Sequence, residues 1–292
     1  MSDRGTRVED VGASSEELPS SECAAPPVER AGTVWVAQAA GFAYRTLRDV
    51  SRSWTVLGVA IGLPPMMYLL VTATRSFDPT TKGLFAVGIA ALGAMIASLT
   101  VFGSQLAVDL EADRFRAYRS MAVSPSADLA GRMAASSTVA ALALIFGLAV
   151  GILDGAPLGV GSVVQAATVV AALLGLSVVL MTAAIPIVVA ANNEQYAQFA
   201  LSLVAVFGFM LTGYNGMLPS VAILDQSVVQ LFPNVLATRA MAVRLVTVEG
   251  VSAIDFVGTA GRLATLAVYS AGTAAVGTAL ARWQLYDKEV LR

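Results

Sequence analysis

The sequence predicts an all-α, polytopic membrane protein with six transmembrane helices, an N-terminal interfacial amphipathic helix and a cytoplasmic coupling helix. Hydrophobic residues make up 57% of the 292 residues and charged residues only 13%, whereas a soluble domain carries roughly 25% charged residues. Six stretches without a charged side chain each reach the roughly 20 residues that a helix needs to cross a bilayer. Most arginine and lysine residues lie in segments that six crossings place on one side.

The first thirty residues differ from the rest of the chain. Residues 1–30 are rich in Ser, Glu and Pro and lack a basic start followed by an apolar core, so we expect no signal peptide. A segment this poor in apolar residues is predicted to be a disordered cytoplasmic tail, with a docking role as the alternative. Residues 31–292 are predicted to form the transmembrane domain.

An amphipathic helix is predicted from Thr33 to Arg52, just before the first apolar stretch. At 100° per residue its apolar face holds Trp35, Val36, Ala39, Phe42, Ala43, Leu47 and Val50. Its polar face holds Gln38, Arg45, Arg48 and Arg52. A helix with a basic polar face and an aromatic-containing apolar face is typical of the membrane interface. The alternative is a soluble packing helix, which the adjacent apolar stretch disfavours.

The six predicted spans and the basic residues between them set the orientation. The spans are 53–74, 84–108, 133–153, 163–191, 195–218 and 263–281. The basic residues on the richer side are Arg45, Arg48, Arg52, Arg114, Arg116, Arg119, Arg132, Arg282, Lys288 and Arg292. Because the side richer in Arg and Lys faces the cytoplasm, we expect both termini to be cytoplasmic in a multi-pass protein of a prokaryotic cell membrane.

The segment from Pro219 to Gly261 faces the other side. It is long and rich in Val, Leu, Ile and Phe, so it is unsuited to a solvated loop. We expect short helices that dip into the outer leaflet or pack on the bundle, because irregular backbone at membrane depth must be shielded by protein.

The residues that are absent exclude several kinds of chemistry. The chain contains no histidine and one cysteine, Cys23, which removes the commonest general base and the commonest metal ligand. No GxxxxGK[ST] phosphate loop is present. An ion-coupled carrier usually requires a carboxylate within its spans, and the predicted spans hold none. We therefore predict no enzyme activity, no metal and no cofactor in this chain, and an external energy source for any transport.

The segment between the second and third spans is the candidate coupling helix. Acidic residues precede basic residues along it, which suits a helix dipole, and Ser124-Pro125 ends the helical pattern. Phe115 and Tyr118 stand three residues apart and are expected on one side, suited to a groove in a partner protein. A solvated helix end with snorkelling arginines is the alternative. The candidate coupling residues are Glu111, Arg114, Phe115, Arg116, Tyr118, Arg119, Ser124 and Pro125.

Two stretches combine several short motifs. The first comprises Glu111 to Arg119, Met121-Ala122-Val123-Ser124-Pro125 and Gly131-Arg132. The second comprises Leu211-Thr212-Gly213, Met217-Leu218-Pro219, Phe232-Pro233-Asn234 and Ala237-Thr238-Arg239-Ala240. Together they resemble the type-2 ATP-binding-cassette (ABC) permeases, most closely the drug-resistance branch of the daunorubicin-export kind. The chain has Arg114 or Phe115 where that family commonly has glycine, and Pro233-Asn234 in place of Asn-Pro. The resemblance extends from about Gly32 to Arg292.

The resemblance implies a permease subunit of an exporter that moves a drug, lipid or other amphiphile out of the cytoplasm or the inner leaflet. It implies a second permease copy or paralogue, and separate ATPase subunits that hold ATP and Mg. The net charge of -2 gives no broad basic field for nucleic acid, so we expect no nucleic-acid partner. The resemblance also implies that Thr33–Arg52 connects to the bundle at the interface and that the Glu111–Ser124 helix contacts the ATPase.

A candidate translocation surface lies on the fifth span, at Phe207, Phe209, Met210 and Tyr214; core packing accounts for these residues equally well. The competing interpretations of the whole chain are an ion-coupled secondary carrier and a non-transporting membrane assembly protein.

Overall fold

The chain folds into an all-helical bundle in the computed structural model, which describes residues 28–121, 123–191, 193–248 and 258–283. Residues 1–27 of the predicted tail lie outside this part of the chain, as do Lys288 and Arg292. The helices are α1 Val28–Arg52, α2 Trp54–Leu57, α3 Leu63–Thr74, α4 Pro79–Glu111, α5 Arg114–Ser120, α6 Pro125–Leu153, α7 Val163–Ala191, α8 Glu194–Leu211, α9 Gly213–Gly216, α10 Gln226–Val229, α11 Pro233–Leu245 and α12 Thr259–Ala281. A π-helical stretch, Gly58–Gly62, joins α2 to α3.

Six helices in the described part of the chain are long and apolar enough to cross a membrane, which confirms the predicted class of fold at that level. Their bounds are Trp54–Thr74, Pro79–Glu111, Pro125–Leu153, Val163–Ala191, Glu194–Leu211 and Thr259–Ala281. We number them as spans one to six.

Spans two and three are longer than their charge-free stretches, and span five is shorter than predicted. Asp78 caps α4 by accepting a hydrogen bond from the Thr81 amide, and Pro79 occupies its first turn, where proline fits without loss of a bond. Pro125 begins α6 in the same way. Span five ends at Leu211 because the backbone turns left-handed immediately afterwards.

Helix α4 is the centre of the bundle, and its apolar stretch is completely buried. It packs against α6, α7 and α8. Small residues allow the approach of α6: an added side chain at Gly147 would lie 2.9 Å from the Ala90 backbone, and one at Gly151 would lie 2.9 Å from the Ala86 methyl group. In lipid, where apolar surfaces gain nothing by leaving water, such close backbone contact is a main source of helix association.

The two ends of the bundle are chemically different. The basal end, named here for Asp109 and Arg132, carries α1, α5 and the ends of α4 and α6. The distal end is named here for Lys82 and Asp154, which form an ion pair there at 3.0 Å. The hydrogen bond from Lys82 is the main reason that the pKa of Asp154 lies below its usual value.

The segment that follows span five packs on the distal end, as its composition predicts. It contains short helices, of which α11 is almost wholly buried against α4, α7 and α12. An isolated β-bridge between Leu158 and Val246 ties its end to the connection between spans three and four.

Helix α1 lies against the start of α6, and part of its predicted polar face contacts the bundle. The Trp35 indole donates a hydrogen bond to Ser126 Oγ at 2.9 Å, and Gln38 Oε1 accepts one from the Ser124 amide at 3.1 Å. Arg45, also predicted on the polar face, lies 2.6 Å from a buried carboxylate of α4. Helical periodicity alone does not reveal this contact between distant helices.

Gly131 permits this contact between α1 and α6. A Cβ atom at this position would lie 2.3 Å from the Ala39 carbonyl oxygen and 2.7 Å from Phe42 Cβ. Both distances are far inside van der Waals contact, so α1 would have to move.

We expect Gly131→Ala to lower the free energy of unfolding by about 1–3 kcal/mol, the usual cost of overpacking. Titration of the detergent-solubilised protein with SDS measures this change. Gly272→Ala is the matched control, because nothing lies within 4 Å of a Cβ atom there; it should be neutral or slightly stabilising, since alanine favours helix by about 0.5–1 kcal/mol. Equal effects at the two positions would contradict the close contact.

Candidate functional site

The basal end contains a connected group of polar and charged side chains, here called the Asp109 cluster: Arg45, Asp109, Arg114, Tyr118, Asp128 and Arg132. Its centre is buried, whereas Arg45 is half-buried and Arg114 is exposed. The side chains of the cluster come from four helices, namely α1, α4, α5 and α6. The cluster is the largest set of connected charges in the described part of the chain.

Asp109 is the centre of the cluster and its side chain is completely buried. Its Oδ1 atom lies 2.6 Å from Arg45 Nη2 and 2.7 Å from Arg114 Nη1. Its Oδ2 atom lies 2.5 Å from Arg132 Nη2 and accepts a hydrogen bond from the Tyr118 hydroxyl at 2.8 Å. One carboxylate therefore joins the three other helices of the cluster to α4.

Arg132 is the second buried centre. Its Nε atom lies 2.6 Å from Asp128 Oδ1, one turn earlier on α6, and its Nη1 atom donates to the Gln105 carbonyl oxygen at 2.9 Å. The guanidinium carbon also lies 5.5 Å from the Phe42 ring centroid and 5.9 Å from that of Phe115, within the range of a cation–π interaction. These contacts satisfy a charge that would otherwise be costly to bury.

The contacts between Tyr118, Arg45 and Asp109 also shift the pKa values of Tyr118 and Arg45. Burial is the largest effect that raises the pKa of Tyr118, and its hydrogen bond to Asp109 adds to it, while Arg45 opposes them. Burial alone would lower the pKa of Arg45, but its hydrogen bond to Tyr118 and the Asp109 carboxylate outweigh burial and raise it. Near neutral pH both groups therefore remain protonated, so their contacts persist.

The short helix α5 is attached to the bundle through its aromatic residues, which corrects a prediction. Phe115 and Tyr118 do project from one side, but that side faces inward and both are buried. Tyr118 packs edge-on against Phe42 and Phe115, with centroids 5.4 and 5.7 Å apart. The prediction that they enter a partner's groove was wrong, because α1 supplies the aromatic contact.

The outward side of α5 consists of other residues. Arg116, Ala117 and Ser120 are exposed, and Met121 just beyond the helix is 60% exposed. A left-handed residue, Asp113 with φ 52°, turns the chain between α4 and α5 and presents this side away from the bundle.

The remaining predicted coupling residues flank α5. Glu111 is exposed, and its carboxylate accepts a hydrogen bond from the Glu194 amide at 3.4 Å. Arg119 is half-buried. Ser124 precedes Pro125, the first residue of α6, and its hydroxyl lies 3.0 Å from that of Ser126.

The four residues of the candidate translocation surface do not share a face. Phe207 and Met210 are 57% and 51% exposed, whereas Phe209 is buried. The Phe209 ring lies 4.9 Å from that of half-buried Tyr214. Core packing therefore accounts for Phe209, and of the four candidates Phe207 and Met210 are the two exposed residues.

A second polar cluster, at the distal end, surrounds a left-handed turn. Gly213, Tyr214, Asn215 and Gly216 all have positive φ, a conformation that costs about 1–2 kcal/mol for a residue with a side chain. Asn234 Nδ2 donates to Asn215 Oδ1 at 2.8 Å and Asn215 Nδ2 donates to the Gly88 carbonyl at 3.1 Å. These buried bonds hold the turn between α4 and α11.

Sequence reasoning missed the residues at the centre of both polar clusters. Asp109 directly follows the predicted span 84–108, a position typical of a residue at the membrane boundary. The i,i+4 spacing of Asp128 and Arg132 was the available signal for an ion pair on α6, but burial was not predictable from it. Asn215 and Asn234 are nineteen residues apart, and no local pattern joins them.

The Asp109 cluster joins four helices through ion pairs and hydrogen bonds. Its carboxylates are bonded to guanidinium groups, and it holds no serine or cysteine nucleophile. No group of three or more potential metal ligands occurs among the residues that the structure describes. The arrangement instead makes α5, α1 and the ends of α4 and α6 one connected unit.

Comparisons with protein-family models, with curated proteins and with solved structures found no match to this chain.

We expect Asp109→Asn to lower the free energy of unfolding by about 3–5 kcal/mol, because it leaves three arginines without their shared charge. SDS-induced unfolding in detergent measures the difference. Glu111→Gln, on the same helix but exposed, should change it by no more than about 0.5 kcal/mol. An Asp109→Asn variant as stable as the wild type would mean that the cluster does not hold the basal end together.

Proposed function

We propose that this chain is the membrane-spanning permease subunit of an ATP-binding-cassette exporter, powered by a separate ATPase subunit. The observation that carries the proposal is the attachment of α5. Its inward side is bonded through Arg114 and Tyr118 to Asp109 on span two, and its outward side remains exposed. A partner that moves α5 therefore moves spans two and three.

The exposed residues of α5 and the resemblance of the surrounding motifs also support an ATPase contact at this helix. The outward side of α5 carries Arg116 and the exposed Met121, a basic and flexible apolar pair suited to an acidic groove with an apolar floor. The resemblance of Glu111–Pro125 and Gly131-Arg132 to the permease loop implies an ATPase contact in this same region. Both termini and the basal end are cytoplasmic in this proposal, and the distal end faces outward.

Gly131 and Arg132 acquire physical roles that fit the resemblance. Gly131 admits α1 to the surface of α6, and Arg132 joins α6 to Asp109. The pair thus links the interfacial helix, the coupling helix and two spans, as the proposed mechanism requires. Substrate would be a drug, lipid or other amphiphile taken from the cytoplasm or the inner leaflet, and a second permease subunit would complete the pathway.

An ion-coupled carrier is the second candidate, and one observation favours it. Asp109 and Asp128 lie within spans two and three and are completely buried, although the predicted spans contained no carboxylate. Each is bonded to at least one guanidinium group, however. Proton exchange would require breaking those pairs, so we rank the carrier below the exporter.

The test is co-purification of the tagged chain from its native cells, with bound proteins identified and ATP hydrolysis assayed. We expect the wild type to bring down a nucleotide-binding subunit. Arg116→Glu/Met121→Asp should reduce its capture about ten-fold or more, the effect of losing an interface hot spot.

Two controls make this result specific. Arg75→Glu reverses an exposed charge at the distal end and should leave capture unchanged. The unfolding midpoint of the double variant should match that of the wild type, since neither residue is buried. A stable wild-type chain that purifies alone and without ATPase activity would contradict the exporter and favour the carrier or an assembly protein.

A further inference from the structure

A groove of about 250 Å³ lies between spans one and five and is open on one side. Thr55 and Val59 of span one form one wall, and Gln198 and Phe199 of α8 form the other. Thr100 of α4 contributes to the lining between them. The groove therefore has apolar walls with several polar groups among them.

The position of these residues along their helices gives the depth of the groove. Ser202, another lining residue, lies eight residues into α8, about 12 Å from its basal end at 1.5 Å per residue. Thr100 lies eleven residues from the basal end of α4, about 16 Å along it. In a hydrocarbon core of about 30 Å, the groove extends from the basal interface to near the middle of the bilayer.

Two amides in the groove lack partners within the protein. The side chains of Gln195 and Gln198, which both line it, make no hydrogen bond to any described residue. Each amide offers two donors and an acceptor. Gln195, in the first turn of α8, is exposed, whereas Gln198, one turn deeper, is half-buried. The lack of a partner in an apolar medium is therefore costly mainly at Gln198. The neighbouring hydroxyls differ, since Thr100 and Ser202 donate to backbone carbonyls of their own helices.

The wall formed by span one has an unusual backbone. Val59 lies in the π-helical stretch Gly58–Gly62, and π-helical turns are rare and frequent at functional sites. Gly58 and Gly62 have nothing within 4 Å of a Cβ position, so packing within the chain does not require them. Glycine in a helix costs about 0.5–1 kcal/mol relative to alanine, and both glycines are exposed beside the wall that Val59 forms.

We propose that this groove binds an uncharged amphiphile through hydroxyl or carbonyl groups that pair with Gln195 and Gln198. Its apolar part lies along Phe199 and Val59 and extends through the open side into the bilayer. No described residue that lines the groove carries a charge, so an ionic head would have no counter-charge there. The inference rests on the proposed function, in which such a ligand is substrate taken from the inner leaflet.

The test uses the purified chain alone in phosphatidylcholine nanodiscs. The probe is diacylglycerol with a photoreactive diazirine near the glycerol, which carries a hydroxyl group and two ester carbonyls but no charge. Phosphatidic acid with the same acyl chains is its charged counterpart. Cross-linked residues are located by mass spectrometry after illumination.

We expect diacylglycerol to label residues 55–59 and 195–202 more than other lipid-facing surfaces, and unlabelled diacylglycerol to compete with it. Gln195→Leu/Gln198→Leu should reduce this labelling about five-fold, as loss of a net hydrogen bond predicts. Gln230→Leu removes an amide at the distal end and is the matched control. The unfolding midpoint should be the same for all three proteins.

Four results would overturn the proposal: even labelling over the lipid-facing surface, equal labelling in the double variant, stronger labelling by phosphatidic acid, or no labelling of residues 55–59 and 195–202. The last result would assign the groove to a second copy of the chain that covers it. Because binding is measured without an ATPase, failure here leaves the co-purification result intact. Conversely, groove binding can be observed even if no ATPase is captured.

Discussion

The buried carboxylate of Asp109 is the constraint on which the basal end depends. A charge in an apolar environment is stable only when it is paired and hydrogen-bonded, and Asp109 obtains its partners from three other helices. This requirement sets the rotation of α1, the inward side of α5 and the position of α6 against α4. Removal of the carboxylate would affect all of these contacts together.

Helix α4 imposes the complementary constraint along the length of the bundle. Because its apolar stretch is buried throughout, the surrounding helices must approach it closely, which glycines such as Gly147 make possible. Spans five and six are buried over only a small part of their surfaces. The exposed remainder of span five borders the groove against span one, so rigid packing and open surface occur on different helices.

The proposed coupling surface and the proposed ligand groove share the basal half of the bundle. Glu111 accepts a hydrogen bond from the Glu194 amide, and Glu194 begins the helix that carries Gln195 and Gln198. A displacement of α5 that shifts the end of α4 would therefore act directly on α8, one wall of the groove, through the contact between Glu111 and Glu194. In an exporter this would connect ATPase movement to ligand release by a short path through packed helices.

The sequence by itself determined the all-helical class, the six spans and the apolar, packed character of the distal segment, because these follow from hydropathy and length. It also placed Phe115 and Tyr118 on a common side of a short helix, since helical spacing is local. Only the tertiary structure decided that this side faces inward, that Arg45 turns toward the bundle and that Asp109 is the shared partner. Those outcomes depend on contacts between helices that are distant in the chain. The need to pair a buried charge sets the orientation of each helix there, and the hydrophobic pattern of a single helix does not contain that information.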